Sequence, residues 1–186
     1  MNVKGFTLIE SLMVLAMITI IFGLALPSFH VFFSRHQSRI VVNEIAGNFN
    51  FARLSAVTTG STVTVCPRSN NDKECGKDWT KGTMSFTDKN TNGVLDEMEM
   101  VLRVTKVLPK NSAAKWVSFG SNNYIRFRND GTTVNQNGSF TYCPPDKDPI
   151  YANQIIVNRS GRLRFAKDND GNGIKNTARG GDIRCN

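Results

Sequence analysis

Residues 1–33, MNVKGFTLIESLMVLAMITIIFGLALPSFHVFF, decide how this chain is organised. From Phe6 to Leu26 there are 21 residues with a single charge, that of Glu10. A helix of this length is about 30 Å long, which is enough to cross the hydrocarbon core of a bilayer. The small residue Gly5 precedes the apolar run, whereas a secretory signal peptide has its small cleavage-site residues after it. Cleavage at Gly5 would therefore leave the apolar helix on the mature protein.

The carboxylate of Glu10 is the unusual feature of this helix. An ionisable group in a membrane segment costs about 2.5–3.5 kcal/mol near the bilayer centre and usually has a partner. If the mature chain begins at Phe6, its new amino group lies four residues before Glu10. The two groups could then pair, within one chain or between neighbouring subunits. The alternative is an N-terminal membrane anchor with Glu10 at the level of the lipid headgroups.

The segment KGFTLIESLMVL resembles the prepilin signature of the type IV pilin superfamily, which includes the pseudopilins of type II secretion. The resemblance implies that a prepilin peptidase cleaves between Gly5 and Phe6 and that the new terminus is N-methylated. Glu10 falls at the fifth mature position, as the family's glutamate does, and Pro27 matches a helix-bending proline of many pilins. The resemblance also implies a single helix in the bacterial inner membrane, a periplasmic head, and an inner-membrane assembly platform that moves the subunit into a fibre.

The composition beyond this helix favours an exported, basic domain. The chain has 186 residues and a formal net charge of +8, with a pI of about 9.6, which favours anionic partners such as nucleic acid or lipid headgroups. An even number of cysteines on the exported side predicts two disulfides. Of the three possible pairings we favour the two that close sequence segments without crossing, Cys66–Cys75 and Cys143–Cys185. Zinc is the rival interpretation, although the sequence contains no C-x-x-C pair.

After Pro27 the helical pattern continues to a glycine stop at Gly60. Proline removes one backbone hydrogen bond, so we expect a kink there. Apolar residues recur at steps of three and four, which predicts an amphipathic helix packed on a sheet. They are Val41, Ile45, Phe49, Ala52 and Ala56.

From Ser61 the apolar period changes to two. Short runs rich in β-branched and aromatic residues alternate with Gly, Asn, Asp and Pro clusters, which predicts strands joined by turns. The runs are TVTVC, GTMSF, MVLRV, WVSF, YIRFR, SFTYC, QIIVN and RLRF. No helical segment lies between them, so we expect a mostly antiparallel sheet. The predicted fold is α+β, with a leader (1–5), a transmembrane and assembly helix (6–33), an amphipathic upper helix (34–60) and a β-rich head (61–186).

The run AVTTGSTVTVCPRSNNDKECGKDWTKGTMSFTDKNTNGVLDEMEMVLR resembles the head of the H-type pseudopilins and the FimT/FimU-type minor pilins. The matching positions are Cys66, Pro67, Cys75, Trp79, Gly82, Asp88, Asn92, Gly93, Glu99, Leu102 and Arg103. The resemblance implies a low-abundance fibre subunit near the tip, with other pilins or pseudopilins as partners. Pro27 and the pair Cys143/Cys185 favour the pilus over the secretion branch.

One loop fits the twelve-residue calcium pattern, with Gly at position six and Glu at position twelve. Its candidate ligands are Asp88, Asn90, Asn92, Asp96 and Glu99. The runs on either side read as strands, however, and a Gly/Asn-rich hairpin turn would have the same sequence. A hairpin is therefore the favoured interpretation and calcium the alternative. A second loop begins similarly at Asp168 but has Arg179 at position twelve.

The C-terminal segment is rich in basic residues: Arg159, Arg162, Arg164, Lys167, Lys175, Arg179 and Arg184. Arg162 and Arg164 would project to one face of a strand, where two guanidinium groups can bind a DNA backbone. Gly161-Arg162-Leu163-Arg164 also resembles a motif that some FimT-type pilins use in DNA uptake. We name Arg159, Arg162, Arg164 and Lys167 as candidate DNA contacts; the alternative is a solvated edge strand protected by its arginines.

The sequence does not favour catalysis. His30 and His36 lie on the N-terminal helix, and no phosphate loop or hydrolase elbow is present. We therefore expect a non-enzymatic subunit without a cofactor. A minor pilin is the first interpretation, an H-type pseudopilin of type II secretion the second, and a DNA receptor within a pilus the third.

Overall fold

The computed structural model describes residues 5, 7–120, 123–133 and 135–185, and only the backbone of residues 24–28 and 30. The chain divides into two compact units, Met1–His36 and Gln37–Asn186. Helix α1, Leu8–Thr59, begins in the first unit and ends in the second. The helix continues through position 27, and the kink expected at Pro27 stays a prediction.

The described part of the first unit exposes a long run of apolar side chains. None of the helices that the described residues form is apolar enough over a sufficient length to cross a membrane. The predicted membrane segment, 6–33, includes Phe6 and the side chains of residues 24–28 and 30, which lie outside the described residues. Its exposed large apolar side chains are Leu8, Ile9, Leu12, Met13, Val14, Leu15, Met17, Ile18, Ile20, Ile21, Phe22, Phe29, Val31, Phe32 and Phe33. Exposed apolar surface of this extent marks a site of contact with lipid or another protein.

The apolar stripe predicted for the upper half of α1 is confirmed. Val41, Ile45, Phe49, Ala52 and Ala56 are all buried. They recur at steps of three and four, so one side of the helix presents them to the sheets. Past the end of the helix, Gly60 adopts a φ of +65°, the left-handed conformation typical of a helix stop.

The described residues form eight strands, and every strand predicted from the sequence is confirmed. They are β1 (Val63–Pro67), β2 (Thr83–Thr87), β3 (Val101–Val104), β4 (Ala113–Ser118), β5 (Ile125–Phe127), β6 (Gly138–Cys143), β7 (Asn153–Val157) and β8 (Leu163–Phe165). All the pairings are antiparallel, as expected. The strands form two four-stranded sheets, in the orders β3-β2-β1-β5 and β4-β6-β7-β8, where a single sheet was expected.

One apolar core joins α1 to both sheets within the second unit. The helix contributes Phe49, which packs edge to face on Trp116 of β4 and Phe140 of β6. Val63 of β1 and Ile155 of β7 belong to the same cluster. All the buried apolar residues of the described chain lie between Val41 and Ile183, so the second unit has its own core. It can therefore be studied as residues 37–186.

A buried polar network fixes α1 against the first sheet. The Asn48 side chain donates to Thr83 Oγ1 and accepts from Ser85 Oγ, each at 2.8 Å. The hydroxyl groups of Thr83 and Thr105 lie 3.0 Å apart and continue the network to the residue that directly follows β3. Since an unpaired buried polar group is costly, these bonds specify one position of the helix on the sheet.

Candidate functional site

The predicted processing site lies at the start of helix α1. Gly5 is exposed and precedes the helix, while Phe6 lies outside the described residues. Thr7 Oγ1 accepts a hydrogen bond from the backbone N–H of Glu10 at 3.3 Å, which satisfies one free donor of the first turn. The Glu10 side chain is exposed in that turn. The pairing of Glu10 with the Phe6 amine stays a prediction because Phe6 is not described.

Both disulfides favoured from the sequence are present in the head. Cys66 and Cys75 have Cα atoms 5.6 Å apart, and Cys143 and Cys185 have Cα atoms 5.7 Å apart. The first bond closes the loop that follows β1. The second fastens the C-terminal segment to β6, so the basic residues after β8 are held at both ends.

The loop between β2 and β3 begins at a buried ion pair. Asp88 is fully buried, and its Oδ2 lies 3.2 Å from Arg126 Nε of β5. The same oxygen accepts hydrogen bonds from Thr64 Oγ1 at 2.5 Å and from the backbone N–H of Gly93 at 3.1 Å. Arg126 also lies over the ring of Tyr124. The first position of the calcium pattern therefore joins the loop to β1 and β5.

Hydrogen bonds within the loop hold two of its other acidic side chains, Asp96 and Glu99. Glu99 accepts from the backbone N–H groups of Lys89 and Asp96, at 2.7 Å and 3.1 Å. Asp96 accepts from the side-chain amides of Asn90 and Asn92, at 2.7 Å and 3.0 Å. Because β2 and β3 pair antiparallel on either side of it, the loop is the hairpin connection that the sequence favoured. Among the described residues no group of three or more His, Cys, Asp or Glu side chains is placed to hold a metal, and calcium binding here stays an untested prediction.

The second acidic loop follows β8 and is folded around Asp168. The backbone N–H of Gly173 donates to Asp168 Oδ2 at 2.8 Å, and that of Gly171 donates to Oδ1 at 2.7 Å. These two donors, with Gly173 the stronger, hold the pKa of Asp168 below its ordinary value. Asp182 accepts from the side chains of Asn172 and Asn176 and closes the loop. The loop is therefore stabilised by its own amide groups.

The four candidate DNA contacts, Arg159, Arg162, Arg164 and Lys167, are all exposed. Strand β8 is an edge strand of the second sheet, as the alternative interpretation assumed. Leu163 packs against the main core, so its neighbours Arg162 and Arg164 project to the opposite face. None of the four side chains forms an ion pair with a described acidic residue. Lys175 differs from them, because its Nζ donates to the carbonyl of Ala152.

A second turn, residues 128–131, lies against the turn that carries Arg159. The backbone N–H of Thr133 donates to the carbonyl of Arg159 at 3.0 Å, and Gly161 packs against the carbonyl of Gly131. Arg53 of α1 donates from Nε to that carbonyl at 2.9 Å. The exposed Arg128 therefore stands beside the predicted basic surface. Sequence reasoning missed it because the two turns are about thirty residues apart and no local pattern joins them.

The family comparison decides what kind of chain this is. The sequence profile described as type II transport protein GspH matches residues 41–161, which is more than half of the chain. The chain belongs to the GspH family. No curated protein matches it in sequence. The GspH family assignment confirms the resemblance seen in the residues, and the chain is a minor pilin or pseudopilin of the GspH/FimU type.

Solved structures show the same fold as this GspH-family chain. One is the crystal structure of the Pseudomonas aeruginosa type IV minor pilin FimU, with 19% identity and a TM-score of 0.56, covering 73% of this chain and 92% of that one. Another is the minor pseudopilin EpsH from the type 2 secretion system of Vibrio cholerae, with 10% identity and a TM-score of 0.50. That match covers 69% of this chain and 95% of EpsH. At these identities the likeness establishes the fold alone.

Proposed function

We propose that this chain is a minor pilin of a type IV pilus, a non-enzymatic subunit at or near the tip that supports pilus assembly. The observation that carries the proposal is the combination of a GspH-type head with the prepilin-like segment from Lys4 to Glu10. A prepilin peptidase cleaves after Gly5 and leaves α1 in the inner membrane. An assembly platform then moves the helix into a fibre of other pilins. The exposed apolar side chains of the first unit are buried there against neighbouring helices, which stabilises the fibre.

Glu10 sets the register of the subunit in this proposal. In the apolar interior of a fibre its carboxylate pairs with the amine of Phe6, of its own chain or of a neighbour. Removing one partner of a buried pair costs about 3–5 kcal/mol because the other charge stays buried and unpaired. A mismatch in register would have the same effect, so the pair selects one alignment of helices.

Replacing Glu10 with leucine should leave membrane insertion intact and reduce incorporation into fibres by about a hundredfold, the factor that about 3 kcal/mol produces. The measurement is the ratio of this subunit in sheared, purified fibres to that in the inner-membrane fraction. Ser11→Leu is the matched control, since it adds an apolar side chain to the next position without removing a charge. Equal incorporation of the Glu10 and Ser11 variants would show that Glu10 has no part in assembly.

An H-type pseudopilin of a type II secretion system is the second candidate. The description of the matched family favours it, since that name is type II transport protein GspH. The two candidates differ in what a deletion removes. Loss of surface pili with normal protein secretion supports the first, and loss of secretion with normal pili supports the second.

DNA binding by the head is a third proposal, compatible with the first. Its support is the exposure of Arg164 on the edge strand β8 and of Arg162 directly before it, with Arg159 and Lys167 nearby in sequence. Contacts of this kind are made to phosphates and carry little sequence preference. Arg128 adds a further exposed cation beside the turn that carries Arg159.

Replacing Arg162 and Arg164 with glutamine should reduce the salt dependence of DNA binding by residues 37–186. Each phosphate contact contributes about −0.9 to the slope of log K against log salt, so the slope should shrink by about two. A gel-shift titration at several salt concentrations measures it. The control replaces Lys73 and Lys77 with glutamine, two exposed cations, one inside the first disulfide loop and one just after it, with the same change in net charge. Equal slopes in the two double variants, or increased aggregation with unchanged affinity, would support edge protection instead.

A further inference from the structure

We propose that the cleft on the outer face of the second sheet binds a carboxylated sugar residue of the hexuronic acid type. The cleft has a volume of about 690 Å³, which is within the range of small-molecule sites. Its lining residues come from three places, the end of β4, strands β6 and β7, and the C-terminal segment. They include Val117 and Phe119 at the end of β4, Ser139, Thr141 and Gln154 on the two strands, and Arg179 in the C-terminal segment. This proposal does not depend on the proposed fibre role.

The floor of the cleft is made of hydroxyl groups. Phe140 and Tyr142 of β6 point into the main core, so Ser139 and Thr141 point to the outer face. Thr141 Oγ1 accepts a hydrogen bond from Gln154 Nε2 at 2.8 Å, which leaves its own O–H to donate elsewhere. The Ser139 hydroxyl makes no hydrogen bond to a described residue. Two hydroxyl groups on adjacent positions of one face are thus available to a ligand.

The C-terminal segment forms one wall and supplies a cation. The side chain of Gln154 accepts a hydrogen bond from the backbone N–H of Ala178 at 3.1 Å, which holds this wall over the sheet. Ile183, which is 1% exposed, and the disulfide of Cys185 fix the segment further along. Arg179 is exposed at the cleft and forms no ion pair with any described residue. A guanidinium group binds a carboxylate through two parallel hydrogen bonds.

The opposite wall is apolar. Val117 is 42% exposed and Phe119 is 86% exposed, although both are large apolar side chains. Apolar and aromatic side chains that line a cleft together with a few polar groups are typical of a small-molecule site. One face of a pyranose ring carries C–H groups and packs on such a ring, while its edge carries hydroxyl groups. A hexuronic acid residue therefore matches all three parts, with its ring on Phe119, its hydroxyl groups on the floor and its carboxylate on Arg179.

The test uses residues 37–186 with methyl glucuronide as the probe, followed by changes in amide NMR signals. We expect saturable binding, with the largest shifts at Ser139, Thr141 and Thr177. The neutral methyl glucoside should bind about tenfold more weakly, because hydrogen bonds to a charged group are the stronger ones. Arg179→Gln should bind the glucuronide about tenfold more weakly than the unsubstituted protein does, and its affinity for the glucoside should not change. Phe119→Ala should weaken both sugars.

Arg184→Gln is the matched control, an exposed arginine of the same segment that does not line this cleft. An equal loss in the Arg184 and Arg179 variants would overturn the proposal, as would equal affinity for the two sugars or an absence of shifts in the cleft. Acetate and an N-acetylated glutamyl peptide are the remaining probes. Binding of either one as tight as that of the glucuronide would also overturn it, in favour of a simple carboxylate or a peptide. All the substituted side chains are exposed, so a melting curve should show each variant folded.

Discussion

Replacing Asp88 with alanine should lower the free energy of unfolding of residues 37–186 by about 3–5 kcal/mol, because it leaves a largely buried arginine without its partner. Asp88 is fully buried and the Arg126 side chain is only 14% exposed. The change also removes the acceptor of the Thr64 hydroxyl and of the Gly93 N–H. Urea unfolding followed by circular dichroism measures the effect, and the midpoint should fall with little change in slope.

Two further variants make this expectation specific. Asp96→Ala removes an exposed carboxylate of the same loop, which accepts only from the amides of Asn90 and Asn92, so it should cost about 1 kcal/mol or less. Combining Asp88→Ala with Arg126→Ala should cost clearly less than the sum of the two single changes, because no charge is then left unpaired. Strict additivity would show that Asp88 and Arg126 do not act as a pair.

Replacing Gly161 with alanine should destabilise the head by about 3 kcal/mol, from backbone strain and from overpacking together. Gly161 has a φ of +73°, a conformation that L-residues rarely adopt. A Cβ atom there would lie 2.0 Å from the carbonyl oxygen of Gly131 and 2.9 Å from Arg53 Nε. The backbone carbonyl cannot move without breaking the contact between the two turns. Urea unfolding of residues 37–186, followed by circular dichroism, measures the loss of stability.

Gly171→Ala is the matched control. Gly171 has nearly the same φ, +76°, but a Cβ atom there would have no neighbour within 4 Å. Gly171→Ala should therefore lower the free energy of unfolding by the backbone strain alone, about 1–2 kcal/mol. The difference between the two variants isolates the contact of Gly161 with Gly131. Equal stability of the two variants would show that this packing does not hold the two turns together. The presence of glycine at position 161, before Arg162, would then need another explanation.

The fold was predictable wherever it rests on local periodicity. The stripe from Val41 to Ala56 requires only the helical repeat, and all eight strands follow from alternation and turn residues. The disulfide pairs were also predictable, since each closes a segment of its own. The division into two sheets was not, because it depends on pairings such as β4 with β6 and β1 with β5, which are long-range contacts without a local signal.

The candidate sites show the same contrast between features set by local sequence and features set by long-range contacts. The sequence predicted Arg162 and Arg164 on one face of a strand, with an edge strand as the alternative; Arg164 lies on the edge strand β8 and Arg162 directly precedes it, because two-residue spacing on a strand is a local property. It assigned Asp88 to the start of a calcium pattern, but its ion pair with Arg126, 38 residues later, could not be read from either neighbourhood. The cleft beside Arg179 was missed for a similar reason. It exists only because Gln154 and the disulfide of Cys143 hold the C-terminal segment over the sheet.

The amino terminus of the mature protein tests the central claim most directly. The chain should be expressed in a host that has a prepilin peptidase, and its membrane fraction analysed by intact-mass and peptide mass spectrometry. A pilin or pseudopilin subunit that retains its assembly helix should begin at Phe6, with one methyl group on the new amine. A chain that still begins at Met1, or one cleaved after Leu26 at the end of the apolar run, would contradict the account.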